Sequence, residues 1–182
     1  MHCLPTVCIY FYAIWKKATQ GCPCRYYNHP EKERTCPPGA VQKYLNKISG
    51  PLLDRIDLHV EVTPVAFSEL SSTQNFEKSE TIRARVIKAT ERQAERFINN
   101  PGVYCNAQMS SKMLKEICVI TQAGSNLLKV AMEKLNLSAR AYDRILKVSR
   151  TIADLAGSDD IKPEHLAEAI QYRSLDREGW AG

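Results

Sequence analysis

One strand-like stretch, followed only by helical periodicity, most limits how this chain can fold. Apolar and polar residues alternate over residues 56–62, which predicts a β-strand with one buried face. From Ser79 onward, apolar residues recur at the spacing of amphipathic helices. A lone strand with open edges is not a stable unit, so we expect a fragment whose sheet lies elsewhere. The predicted fold is mainly α: a small α/β remnant followed by a bundle of four or five helices.

Composition places the chain among soluble globular proteins. Its 182 residues are 44% hydrophobic and 25% charged, and the net charge of +5 permits phosphate contact without requiring it. Seven cysteines, an odd number, with no secretory signal favour a reducing compartment over a disulfide framework. The apolar patch at residues 7–15 is shorter than the about 20 residues that a membrane-spanning helix needs. We therefore expect a cytoplasmic protein without a membrane partner.

Composition and periodicity divide the chain into four regions. Residues 1–20 crowd cysteine and aromatic residues without a period, and we hypothesise that they are not native to the protein. Residues 21–65 combine a Cys-, Pro- and Gly-rich loop with a short helix and the strand, and residues 66–78 form a polar linker. Residues 79–182 are helical. The predicted helices cover 41–48, 79–98, 110–118, 122–135, 138–155 and 163–172.

Arg55 stands between two aspartates, on the step from the first helical pattern into the strand pattern. A planar, permanently charged guanidinium on a rigid element suits an anion on another molecule, above all a phosphoryl group in transfer. Asp54 and Asp57 could orient it from either side. The plain alternative is a surface ion pair, which contributes about 0–1 kcal/mol.

Arg140 falls in the first turn of a predicted helix that Ser138 should cap. With Arg144 and Lys147 it forms a basic stripe at helical spacing, which for the latter two residues indicates a solvated face. The predicted core face of this helix consists of Tyr142, Ile145, Ser149 and Ile152.

The cysteine-rich loop offers a metal site. Thiolate and imidazole groups in a proline-rich loop could hold a tetrahedral Zn²⁺. The candidate ligands are Cys22, Cys24, Cys36 and His29. The Cys-x-Cys spacing is tighter than usual for zinc, and free thiols are the alternative. The single histidines His59 and His165 have no partner at a motif spacing, so we expect structural roles for them.

Two runs, residues 49–59 and 137–155, resemble the magnesium-chelatase-like (ComM/YifB) AAA+ ATPases, and the similarity extends over residues 22–182. The resemblance implies the C-terminal part of a cytoplasmic, ring-forming ATPase linked to DNA branch migration in natural transformation. Its subunits would be partners in a homo-oligomeric ring. The α/β remnant would end the AAA+ core, and the helical region would be its lid.

The resemblance also implies roles for single residues. Arg55 would be the arginine finger that touches the nucleotide of a neighbouring subunit, and Arg140 would be the sensor-2 residue. ATP and Mg²⁺ would be bound upstream in the complete protein. These 182 residues contain no G-x-x-x-x-G-K-[ST] motif, so we expect the chain alone not to hydrolyse ATP. Arg34 replaces one cysteine of the family's second Cys-x-Cys pair, which leaves one expected thiol missing.

A second class of function stays open at this point: a non-catalytic helical module, with or without zinc, that contacts DNA. Its phosphate contacts would come from the first long helix together with the Arg140 stripe. The basic residues of that helix are Arg83, Arg85, Lys88, Arg92 and Arg96. Phosphate binding should weaken steeply with added salt. Metal insertion into a porphyrin has only the family resemblance behind it.

Overall fold

The computed structural model describes residues 55–60 and 77–173, together with positions 24, 33, 35–37, 39, 40 and 43. The chain divides into two compact units. One comprises Met1–Leu53, Val62–Pro64 and Glu178–Gly182, and the other comprises Asp54–Glu61 and Val65–Arg177. Lys43, within the predicted helix 41–48, is helical.

Residues 77–173 contain five α-helices and one 3₁₀ turn, Asn106–Gln108. The helices are α1 (Ser79–Arg96), α2 (Ser111–Ile117), α3 (Gln122–Lys134), α4 (Ala139–Leu155) and α5 (Pro163–Gln171). The mainly helical prediction is confirmed for this part of the chain, with helix ends displaced by a residue or two.

Side-chain caps explain where three of these helices begin. The hydroxyl groups of Ser110, Thr121 and Ser138 accept bonds from amides in the first turns of α2, α3 and α4. The sequence also predicts Ser79 as the cap of α1, and this is wrong, because Lys78 occupies the cap position and Ser79 is the first helical residue. Past the far end of α4, Gly157 adopts a φ of +71°, a left-handed conformation that suits glycine.

The core lies between α4 and its neighbours. Leu128 of α3, Ile145 of α4 and Leu166 of α5 are fully buried there. Gly124 is needed for the close approach of α3 to α5, since a Cβ added at this position would lie 2.7 Å from Leu166 Cδ1. In α4 the core face agrees with prediction at Ile145 and Ser149. The prediction is wrong at Tyr142, whose side chain is not in the core and which is 39% exposed.

The first long helix packs through its second half only. Ala89, Gln93 and Phe97 are buried, as the periodicity predicts. Ile82 and Val86 continue the same stripe but are 41% and 48% exposed. Periodicity identifies the face that can be buried. It does not show how far along α1 the bundle extends.

The predicted strand is not found in its described part. Residues 58–60 have no regular secondary structure, and the backbone groups of Ile56 and His59 bond to Arg173 and Tyr172, directly after α5. The burial pattern is also reversed, since His59 is buried while Leu58 and Val60 are 38% and 47% exposed. The polar side of the stretch faces the bundle because Arg144 of α4 and Tyr172, directly after α5, offer bonding partners there. The α/β remnant therefore stays a prediction.

Membrane-spanning helices were sought in the described residues, and none there has the length and apolar character required.

Candidate functional site

A buried ionic cluster joins α1, the 3₁₀ turn and α4. Asp154 of α4 accepts two bonds from Arg96 of α1, at 2.8 and 2.5 Å, and one from Asn106 Nδ2 at 2.8 Å. Arg150, one turn before Asp154, lies 3.2 Å from the same carboxylate and donates to the carbonyl oxygens of Ser158 and Asp159. We call Arg96, Asn106, Arg150 and Asp154 the buried cluster.

Charge and burial shift the pKa values of groups in the buried cluster and beside it. Burial alone would raise the pKa of Asp154, but the bonds from Arg96 and Asn106 and the nearby positive charges outweigh it and lower that pKa. The bond to Asp154 raises the pKa of Arg96. Burial raises the pKa of the nearby Cys118 thiol to about 11, although both arginines oppose the shift. The buried cluster thus holds fixed charges, and the thiol of Cys118 beside it stays protonated. Both features suit a structural role.

A second polar contact region lies where residues 55–60, which we call the docked segment, meet the bundle. Arg173, fully buried, donates from Nη1 to the carbonyl oxygen of Ile56. The amide of His59 donates to the carbonyl oxygen of Tyr172 over 2.7 Å. Asp57 forms an ion pair with Arg144 of α4. The segment is therefore bonded to the end of α5 and to the first half of α4.

The two arginines singled out from the sequence are both exposed. Arg55 lies in a turn at the start of the docked segment, and Arg140 lies in the first turn of α4. Asp57, predicted to orient Arg55, instead pairs with Arg144, one helical turn beyond Arg140. The structure thus links the elements that carry the two arginines.

Most other basic groups that could have formed a nucleic-acid surface have partners within the protein. Three of the five on α1 are engaged: Arg85 with Glu77, Arg92 with Asp159 and Arg96 with Asp154. On α4, Lys147 donates to the carbonyl oxygen of Ala107 and Arg144 pairs with Asp57. The solvated-face interpretation of Arg144 and Lys147 is therefore wrong, and the basic surface is smaller than the sequence suggests.

Two of the predicted zinc ligands lie among the described residues. The amide of Cys24 donates to Cys36 Sγ over 3.3 Å, and both residues are partly buried. Cys22 and His29 lie outside the described residues. Within the described residues no group of three His, Cys, Asp or Glu side chains is arranged to hold a metal.

His165 and His59 are both buried. The ring of His165 accepts a bond from the amide of Lys162 over 3.2 Å and so closes the first turn of α5, in agreement with the expected structural role.

Sequence reasoning missed the side chains that hold the docked segment. Arg144 was assigned to a solvated stripe, and no role was predicted for Arg173. The ion pair between Asp57 and Arg144 spans 87 positions, so no local pattern could have revealed it. Correlated changes at those two positions among relatives could have given such a signal.

By fold, the described region is a small all-helical domain built on capped helices. A family model described as "Magnesium chelatase, subunit ChlI C-terminal" matches residues 76–173, which is 98 of the 182 residues. A second model, "Magnesium chelatase, subunit ChlI", matches residues 12–70. The chain belongs to the magnesium chelatase subunit ChlI family.

Relatives in bacteria support this assignment. The competence protein ComM of Haemophilus influenzae is 43% identical over 141 residues, which cover 77% of this chain and 27% of that protein. The protein YifB of Escherichia coli is 41% identical over 143 residues, with coverage of 78% and 27%. The protein YifB of Salmonella typhimurium is 39% identical over 145 residues, with the same coverage. The chain thus spans about a quarter of the length of these relatives.

Proposed function

We propose that this chain acts as the C-terminal part of a magnesium-chelatase-like AAA+ ATPase and contributes two arginines to nucleotide sites. Arg55 is the arginine finger for a neighbouring subunit, and Arg140 is the sensor-2 residue. One observation carries this assignment. Most arginines of the described part are bonded to acceptors, whereas the guanidinium groups of Arg55 and Arg140, like that of Arg83 on α1, are exposed and make no ion pair there.

The support for Arg55 is that it stands on a fixed base. An arginine finger must reach outward from an element that does not move independently. The residue after it, Ile56, is bonded to the buried Arg173, and Asp57 is bonded to α4. A surface arginine on such a base can approach a phosphoryl group on another molecule with little loss of freedom.

The support for Arg140 is its place at a helix start. The amino end of α4 carries partial positive charge, and Ser138 caps it through a 3.2 Å bond from the amide of Ala141. An exposed arginine in this first turn adds a full positive charge to the same end. That combination suits a terminal phosphate group.

The chain has no residues that fit the rest of an ATPase centre. Its sequence lacks the glycine-rich loop and lysine that hold phosphates, and the paired acidic strand that helps to hold Mg²⁺. We therefore assign ATP and Mg²⁺ to the complete protein, and residues 21–65 to the end of its AAA+ core. The partners are neighbouring subunits of a homo-oligomeric ring.

The finger can be tested in trans. The partner is a full-length family member with its own phosphate-binding loop, in which the arginine aligned with Arg55 is changed to alanine. Adding this chain should restore Mg·ATP turnover, measured as phosphate release. The Arg55→Ala chain should not, because an arginine finger contributes about 10³–10⁵-fold to kcat.

Arg83→Ala is the matched control, since Arg83 is another exposed arginine without an ion pair in the described part. It should restore turnover as well as the unmodified chain. Equal restoration by Arg55→Ala, or no association of this chain with the partner on gel filtration, would contradict the finger assignment.

A DNA-processing step is the process we propose for the complete assembly. The support is limited to the name of the Haemophilus influenzae relative, a competence protein. DNA contact by this chain itself has less support, because three of the five basic residues on α1 are engaged inside the protein. Steep, salt-sensitive DNA binding by the chain alone would favour the rival binding-module function.

A zinc ion is a further proposal for the cysteine-rich loop. Its support is the bond from the amide of Cys24 to Cys36 Sγ, since a metal-bound thiolate commonly accepts such a bond. Protein purified without chelators should contain zinc near unit stoichiometry and lose it in Cys36→Ser. Cys105→Ser, at another partly buried cysteine, is the control and should keep its zinc. No zinc in the unmodified protein would end this proposal.

A further inference from the structure

The docked segment is held by contacts of different kinds. Arg173 is fully buried and donates to the carbonyl oxygen of Ile56, which is partly buried. The bond from the His59 amide to Tyr172 fixes the other end of the segment. Both contacts act on backbone atoms of the segment, so neither constrains one of its side chains.

The Asp57–Arg144 pair supplies that missing constraint. Asp57 follows Arg55 by two residues, so its side chain anchors the turn itself. Arg144 belongs to α4 and lies four residues, one helical turn, after Arg140. The side chains of Asp57 and Arg144 are 46% and 29% exposed.

We propose that the Asp57–Arg144 ion pair positions Arg55 by tying its turn to α4, so that Arg55 and Arg140 move as one unit. This inference rests on the proposed function of those two arginines. Asp57 and Arg144 are positioning residues: neither touches nucleotide, and both act through Arg55. Through this pair, a shift of α4 would also move Arg55. Arg140 on α4 would contact the nucleotide of its own subunit, and Arg55 would contact the nucleotide of the neighbouring subunit.

The energy of the pair suits this role. A partly exposed ion pair contributes far too little to decide whether the bundle folds. It is enough to select one orientation of a short turn. Since a misplacement of about 1 Å can reduce a rate by about 100-fold, a small change of orientation should be visible in turnover.

The test uses the trans assay with Asp57→Ala, Arg144→Ala and the charge exchange D57R/R144D. Each single change should lower the kcat of restored turnover by about 10-fold, with the KM for ATP unchanged because the partner holds the nucleotide. The exchange should recover most of the rate. Arg85→Ala is the matched control, because it breaks the comparable exposed pair with Glu77, at 50% and 43% exposure, and should leave turnover unchanged.

Hydrogen exchange of the His59 amide gives a readout that needs no activity. Protection should fall in both single variants and recover in the exchange, while amides of α3 stay protected. Unchanged protection, or reduced protection with full turnover, would overturn the positioning role and leave the finger assignment standing. Failure of the unmodified chain to restore turnover, or full activity of Arg55→Ala, would instead show that the proposed function is wrong, and the positioning role would fall with it.

Discussion

The buried cluster and the docked segment use the same chemistry, arginine paired with aspartate, in opposite settings. In the cluster, Asp154 is fully buried and accepts bonds from Arg96 and Asn106. In the docked segment, Asp57 and Arg144 both remain partly open to water. A buried charge must keep all its partners, whereas a half-exposed pair can form and break. The comparison separates arginines whose buried ion pairs stabilise the folded bundle from Arg144, whose partly exposed pair contributes little to stability.

The largest effect should follow from removing the carboxylate at the centre of the buried cluster. Asp154→Ala leaves the positive charges of Arg96 and Arg150 close together without their shared acceptor. We expect a loss of about 3–5 kcal/mol in the free energy of unfolding, measured by urea denaturation.

Asp159→Ala is the control for that change, since this aspartate pairs with Arg92 but its side chain is 94% exposed. It should cost no more than about 1 kcal/mol. Similar losses in the two variants would show that burial does not distinguish the cluster from a surface pair.

A smaller loss is expected from Arg173→Met, which keeps the length and apolar contacts of a side chain that is fully buried. The change removes the charged donor to the carbonyl oxygen of Ile56, a type of bond that contributes about 1.5–3 kcal/mol. Unfolding in urea measures the loss, and hydrogen exchange at His59 shows whether the docked segment has been released. An unchanged or raised stability would mean that burying the guanidinium costs as much as its bonds return.

Acid should reveal the cluster without any mutation. The pKa of Asp154 in the folded protein lies below the ordinary value of 3.8, so its stabilising contribution is fully present above pH 3.8 and is lost as the pH falls through the lowered pKa. Stability measured by thermal unfolding from pH 6 downward should fall in this range. In Asp154→Asn the loss of stability that Asp154 causes below pH 3.8 should be missing. An identical dependence of stability on pH in the two proteins would contradict this.

The contrast between the two regions also shows what the sequence could predict. Helices α1 to α5 were found because their apolar residues recur locally, and because Ser138 marks the start of α4 as a cap. The Asp57–Arg144 pair and the Arg96–Asp154 pair join positions far apart in the chain, and nothing in either neighbourhood marks the partner. The strand prediction failed in its described part for a related reason, since alternation cannot show that Ile56 and His59 will bond to the residues that follow α5.

The smallest effect, and the sharpest form of the comparison, is the coupling energy of each pair in a double-mutant cycle. For Asp57 and Arg144 we expect about 0–1 kcal/mol, because water screens both side chains. For Arg96 and Asp154 the same cycle should give a larger value, since the carboxylate is fully buried and is bonded through both oxygens. Urea unfolding of the four proteins in each cycle measures both energies. If the Asp57–Arg144 pair equalled the buried pair, it would be a structural anchor like Arg173, and its loss would unfold the docked segment instead of only changing the orientation of the turn.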